Sequence, residues 1–314
     1  MLTVDGILRF ADAEGRVRVG LCDDEEGALR AVTGVDSVAD LLRSPLAELR
    51  ERVLAASGQR PVGRLEDVAV LPPVDGDTEV WAGGVTYERS REARGEESDS
   101  ADLYDRVYAA ERPELFFKSV AWRVVTDGEP IAVRADSVLD VAEPELALVV
   151  NAHGEVVGYC VCDDVSSRSI EGENALYLPQ AKVYAGGCAL GPVIRPVWEV
   201  PDVRAERVRM RIDRGGESVF SGEVPLTAMR RDPAELVSYL FRCHPFPDGA
   251  VLATGTGIVP SMEFSLQAGD VVEIGISGVG SLRNPVVRGS QALDWLVEAR
   301  RHPALRRRAE QTAG

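Results

Sequence analysis

Residues 140–150 read DVAEPELALVV, an apolar run that carries Glu143 and Glu145 one residue apart. In an extended strand successive side chains alternate, which turns both glutamates to one face and Leu146, Leu148 and Val150 to the other. Taken alone, an E-x-E of this kind in an acidic chain is a solvated strand face. The next segment changes that reading. The turn signal NAHG (151–154) leads into EVVGYCVCDDVSSR (155–168), so the two runs form an antiparallel hairpin turning between Ala152 and His153. A regular register sets Glu145 opposite Cys160 and Glu143 opposite Cys162, and puts Asp164 on the glutamates' face at the same hairpin end. Three carboxylates converging there repel one another unless a cation holds them. All-oxygen ligation suits a hard divalent ion, Mg2+ or Mn2+, over Zn2+. Cys160 and Cys162 offer a rival C-x-C zinc site, but no further Cys/His cluster at zinc spacing accompanies them.

The 314 residues are enough for about two domains. Lys+Arg of 35 against Asp+Glu of 51 gives a net charge of −16, which repels phosphate backbones and anionic membranes. The expectation is therefore no nucleic-acid and no membrane partner. The opening MLTVDGILRFADAEGRVRVG has Asp5 and no basic leader before an apolar core, and the five cysteines are an odd number. Both features read as a cytoplasmic protein with reduced thiols. Among the 35 basic residues only Lys118 and Lys182 are lysines, so each marks a position that wants a compact or deprotonatable amine.

Residues 1–77 read as a small N-terminal α+β domain, closed by the linker-like LPPVDGD (71–77). Within it SPLAELRERVLAA predicts a helix with Ser44 as cap, Pro45 at its first position and a stripe of Leu46, Leu49, Val53 and Leu54. Residues 78–314 alternate many short strands with few helices, including one at DPAELVSYLFRC capped by Asp232. That pattern indicates an α+β, mostly β fold of sandwich or roll type. The polar block SREARGEESDSAD (90–102) reads either as a solvated loop or as a lid. The basic stretch RRHPALRRRAEQTAG reads as a fraying helix end.

GGVTYERS (83–90), PELFFK (113–118), EPELALVV (143–150), GYCVCDDVSSR (158–168), QAKVYAGGCALGP (180–192), ATGTGIVP (253–260) and GDVVEIGISGVGSLRNPV (269–286) follow in this order. Together they resemble the motifs of the fumarylacetoacetate hydrolase family. The resemblance implies a mixed β-sandwich roll, a divalent metal on Glu143, Glu145 and Asp164, a homodimer, and 2-oxo acid substrates. It also implies that Arg168 and Lys182 face the substrate, with Tyr87, Arg89, Ser90, Lys118, Gly255 and Thr256 as further substrate contacts. Asp163 and Ser169 depart from the family's usual Asn and Asp, and Ala185 and Gly187 from larger or polar residues.

Hydrolases of this family carry a water-activating histidine three residues after the motif tyrosine, where this chain has Ser90. A serine without a base does not activate water at neutral pH. His244 is the remaining candidate base, though its place before a Pro-rich turn reads as structural. With IEGENALYLPQAKVY (170–184), the motifs look most like the family's 2-keto-3-deoxy sugar-acid dehydratases. The implied reaction takes a 2-keto-3-deoxy pentonate to 2,5-dioxopentanoate through a metal-stabilised enolate, with Lys182 as base and Glu114 as acid. Hydrolysis of an acylpyruvate, decarboxylation of an oxaloacetate-type acid, or a non-catalytic binding role are the alternatives.

Overall fold

The computed structural model describes residues 6–23, 27–97 and 101–306. The N-terminal segment forms β1 (Gly6–Ala11), β2 (Val17–Asp23), β3 (Ala28–Ala31), α1 (Val38–Leu42), α2 (Leu46–Ser57), β4 (Gly63–Arg64) and β5 (Ala69–Leu71). Then come β6 (Glu79–Gly84), the helices α3 (Glu88–Glu97) and α4 (Ala101–Ala109), β7 (Glu114–Val120), β8 (Ile131–Val133) and β9 (Asp140–Val141). The central hairpin is β10 (Pro144–Val150) and β11 (Val156–Asp164), followed by β12 (Ser166–Ser167), α5 (Arg168–Glu173) and α6 (Leu178–Lys182). Next are β13 (Cys188–Leu190), β14 (Val193–Pro196), β15 (Arg207–Arg214), β16 (Glu217–Pro225) and α7 (Pro233–Leu240). The chain ends on β17 (Ala250–Ala253), β18 (Val271–Ile276), β19 (Gly280–Arg288) and α8 (Trp295–Ala299).

A 12-stranded sheet runs β4-β3-β2-β1-β14-β11-β10-β17-β6-β7, with β13 attached to β11 and β5 to β1. A second sheet of five strands, β16-β15-β18-β19-β8, packs against it, and β12 pairs with β9. The pairing of β1 with β14 makes the N-terminal strands a continuation of the sheet that holds the hairpin. The fold is α+β and mostly β, as the strand-dense sequence implies.

Every residue of β10 is buried, which explains an apolar run without polar alternation. Leu146, Leu148 and Val150 enter the core facing the five-stranded sheet, among Met210, Ile274 and Leu282. Ala147, Val149, Cys160 and Cys162 enter the other core, beneath Leu41, Leu42 and Leu49 of α1 and α2. The hairpin register differs from the regular one by two residues. Glu145 pairs with Cys162, and an irregularity between Val149 and Val150 absorbs the extra residue near the turn. Because side chains alternate with period two, a shift of two leaves every face assignment unchanged. It also brings Asp164 directly opposite Glu143, whose carbonyl accepts from the Asp164 N–H at 3.0 Å.

Helix α2 corrects two sequence expectations. Ser44 does not cap it; the Leu46 N–H donates instead to the Glu155 carboxylate at 2.7 Å, from 109 residues away. Leu54 is 49% exposed, and Ala56 takes its place on the buried stripe with Leu49 and Val53. Replacing Glu155 with Ala should cost about 1 kcal/mol, the usual value of a lost helix cap, read as a shift in the urea midpoint. Asp232 does cap α7, accepting from the Ala234 N–H at 2.9 Å with Pro233 first in the helix. The polar block is largely helical, in α3 and α4, with 98–100 outside the described residues. Of the basic C-terminal stretch, 307–314 also lies outside them, as do residues 1–5 of the N-terminus.

Candidate active site

The hairpin end gathers Glu143, Glu145 and Asp164, all buried, with one carboxylate oxygen from each within 4.8 Å of the others. Glu143 is fixed at both ends. Its N–H donates to Asp163 Oδ1 at 3.0 Å, while its carboxylate accepts from Arg168 Nη2 at 2.9 Å and Lys182 Nζ at 2.6 Å. Asp164 accepts from the same Lys182 Nζ at 2.9 Å and pairs with Lys118 Nζ at 2.5 Å. Glu145 accepts the Gly255 N–H at 2.6 Å. Both lysines that the composition singled out therefore meet the triad.

Burial, then the charges of Asp164 and Glu143, push the Glu145 carboxyl well above its ordinary range, against the opposing pull of Lys182. Burial dominates at Asp163 too and pushes it up to about 7. Asp164 also pays a desolvation cost, but Lys118 and Lys182 outweigh it and hold that carboxyl below its usual value. Lys118, Lys182 and Arg168 thus bond Asp164 and Glu143, and Glu145 is the member of the triad whose charge is compensated least directly. An all-oxygen donor set of three converging carboxylates fits a hard divalent cation. Burial holds Cys160 up as a thiol, and Cys162 is held up chiefly by its hydrogen bond with Cys188; both lie in the apolar core and neither belongs to a metal-ligating cluster among the described residues. Glu143, Glu145 and Asp164 are the one candidate metal cluster among the described residues.

A folded-state carboxyl raised above its unfolded value binds its proton longer in the folded chain, so stability falls as pH rises between the two values. Asp163 and Glu145 both act in that window, whereas Asp164 acts below 3.8. The melting temperature of metal-stripped protein should therefore decline from about pH 5 to about pH 7, and saturating Mg2+ should flatten the decline.

Beside the triad lies a cavity of about 20 Å³, lined also by Gly83, Ser90, Tyr104, Glu114, Phe116 and Glu171. It has room for roughly one water molecule. Helices α3 and α4 supply Ser90 and Tyr104 to its wall. Gly84 lets Glu114 lie flat against β6, since a Cβ there would meet Glu114 Oε2 at 2.0 Å. Val85 follows at φ 52°, a strained conformation for a β-branched residue and one that clusters at functional sites. A larger concavity, about 870 Å³, lies on the outer face of the five-stranded sheet and is lined by Arg209, Glu223, Glu273 and Arg283 in mutual ion pairs. It lacks the convergent buried carboxylates of the smaller site.

Ser90, Glu114, Lys182, Gly255 and Thr256 line the small cavity with the triad. Lys118 and Arg168 stand behind it and grip the triad instead. Tyr87 is buried outside its lining, and Arg89 is a half-exposed residue 3.8 Å from Glu92. Ser90 Oγ donates to the Tyr87 carbonyl at 2.7 Å. Ser169 bonds Ser137 Oγ at 2.9 Å, a local tie in the loop before β9. Glu171 and Tyr104 were not singled out by the sequence. Glu171 follows Arg168 by three residues on α5, a spacing that puts both on one helix face and could have found it.

The model of the family described as fumarylacetoacetate hydrolase, C-terminal, matches residues 81–287. The chain belongs to the fumarylacetoacetate hydrolase family. Within the family it is 45% identical over 227 residues to a 2-dehydro-3-deoxy-D-arabinonate dehydratase of Saccharolobus solfataricus, covering 71% of this chain and 76% of that protein. It is 50% identical over 214 residues to a probable 2-keto-3-deoxyxylonate dehydratase of Haloferax volcanii, covering 68% and 73%. Among solved structures, 2-keto-3-deoxy-D-arabinonate dehydratase complexed with magnesium and 2,5-dioxopentanoate superposes with a TM-score of 0.75 at 34% identity, over 90% of this chain and 98% of that one. The fumarylacetoacetate hydrolase of Exiguobacterium antarcticum, at 26% identity, gives 0.63 over 90% and 99%. The similarity is thus to the dehydratase branch as well as to the family at large.

Proposed function

We propose that this protein is a Mg2+-dependent dehydratase of a 2-keto-3-deoxy sugar acid, such as a 2-keto-3-deoxy pentonate giving 2,5-dioxopentanoate. The observation that carries the reading is the buried triad gripped by two lysines beside a cavity that no histidine lines. His244, the base a hydrolase would recruit, stacks on Trp81 at 5.4 Å and Phe246 at 5.9 Å. His153 bonds the Arg43 carbonyl at 3.2 Å in the hairpin turn. The relatives' dehydratase names and the magnesium in the neighbouring structure point the same way.

Glu143, Glu145 and Asp164 would hold the cation. Bound there, a divalent cation supplies positive charge that acidifies the C–H next to a 2-oxo group. Lys182 Nζ bonds the two carboxylates that a cation on Glu143 and Asp164 would take over, which favours its neutral amine, placed to take the C3 proton, with Glu114 placed to deliver one to the departing C4 hydroxyl. Arg168 holds Glu143 in position, and the Gly255 N–H orients Glu145. Thr256 offers its hydroxyl at the cavity wall, where its Oγ1 accepts from the Ile258 N–H at 3.1 Å. These groups fall within residues 78–314, and strands β1 to β5 of the N-terminal segment extend the sheet that holds the hairpin. We place the enzyme in the cytoplasm as a homodimer; none of the described helices is long and apolar enough to cross a membrane.

Mass spectrometry of products from a panel of 2-keto-3-deoxy acids, acylpyruvates and oxaloacetate tests the reading. Loss of one water from a 2-keto-3-deoxy acid supports it. Two carboxylate fragments from an acylpyruvate, or CO2 from oxaloacetate, without any loss of water would sink it.

A further inference from the structure

The cavity beside the triad contains two carboxyl groups that the metal site does not use, Glu114 on β7 and Glu171 on α5. The dehydration assigned above needs only one of them. Removing the C3 proton and the C4 hydroxyl of a 2-keto-3-deoxy pentonate leaves a conjugated enone, 5-hydroxy-2-oxopent-3-enoate. It is an isomer of 2,5-dioxopentanoate and still lacks the aldehyde. Completing the product requires a C5–H to leave, C3 and C4 each to gain a proton, and the C5 hydroxyl to lose one. A second proton-transfer group must therefore reach the far end of the substrate. Resting on the dehydratase reading, we propose that Glu171 is that catalytic residue, the base that takes the C5 proton and returns it to C4.

The protons balance with the three groups on the cavity wall. Lys182 takes the C3 proton while Glu114 protonates the C4 hydroxyl, the C4–O bond breaks, and water leaves. Glu171 then takes a C5 proton, the electron pair moves through the conjugated system, and Lys182 returns its proton to C3. This leaves the enol of the aldehyde. Glu171 gives its proton to C4 as the C5 hydroxyl proton passes to Glu114. Every group ends as it began, with no oxidant or further reactant. The placement supports the division of labour: Ser167 caps α5 by accepting from the Ile170 N–H at 3.4 Å, and Glu171 is 95% buried at the cavity wall. Buried at that wall, Glu171 is screened from bulk solvent, which slows exchange of a proton it holds.

Products from wild type, Glu171→Gln and Glu171→Asp are compared by NMR, since the enone and 2,5-dioxopentanoate have the same mass. Wild type and Glu171→Asp should yield 2,5-dioxopentanoate, whereas Glu171→Gln should release the enone, with aldehyde formation down about 100-fold. A purely structural role would slow both steps together and leave the product unchanged. If Glu171→Gln still delivers the aldehyde in the wild-type proportion, the assignment is overturned while the dehydratase reading stands. If wild type removes no water, both fall. A test needing no variant uses substrate dideuterated at C5, from which wild type should give product with deuterium at C4. Absence of deuterium there above background overturns the shuttle by a shielded carboxyl, whatever the variants do.

Discussion

Glu143→Gln will lose Mg2+ binding and turnover together while the chain remains folded. The substitution removes one ligand charge and leaves Arg168 Nη2 and Lys182 Nζ, now 2.9 Å and 2.6 Å from the Glu143 oxygens, facing a neutral amide. Losing even an outer partner of a metal ligand typically costs 10- to 100-fold, so removing a ligand sets a floor of about 100-fold on the fall in turnover. The Glu143 N–H bond to Asp163 is a main-chain contact and survives, as does the pairing of β10 with β11. Calorimetric titration with Mg2+ and a thermal melt on the same preparation separate the two statements. A variant that kept Mg2+-dependent turnover within a few-fold would remove Glu143 from the metal site.

Lys118→Met has the largest expected effect on stability. The Lys118 side chain is fully buried, and its ammonium donates to the Val165 carbonyl at 3.0 Å and the Lys182 carbonyl at 2.7 Å while pairing with Asp164 at 2.5 Å. Methionine fills a similar volume but leaves Asp164 with Lys182 as its remaining cation and removes the Lys118 donor from two carbonyls. Breaking a buried ion pair from one side typically costs about 3–5 kcal/mol, a large part of a domain's net stability. Urea denaturation of metal-stripped protein checks this. Added Mg2+ should recover part of the loss, because it returns positive charge to Asp164. A change below about 1 kcal/mol would mean that Lys118 contributes packing alone.

The hairpin and its three carboxylates were legible in the sequence because strand alternation fixes faces without knowledge of the exact register. The two-residue error in pairing arose at the Val149/Val150 irregularity, which no residue type there announces. Ser44 was a reasonable cap by local rules. Glu155 displaced it through a contact 109 residues long that only the folded chain creates. Lys118 was found through composition, but its position behind the triad depends on how β7 packs against α6, beyond any local pattern. The block 90–102 has too few apolar residues to show helical periodicity, and α3 and α4 gain their order from packing over the cavity. Glu171 lies in IEGENALYLPQAKVY, and only the folded chain brings it to the same cavity wall as Glu114.

The most direct test of the central claim is water loss from the responding 2-keto-3-deoxy acid by chelator-stripped protein as Mg2+ is added back. The account predicts no turnover above background in the chelator, and full recovery along a curve that coincides with Mg2+ binding. Undiminished dehydration in the chelator would contradict it, and Glu143, Glu145 and Asp164 would then be a structural cluster neutralised by Lys118, Lys182 and Arg168 alone.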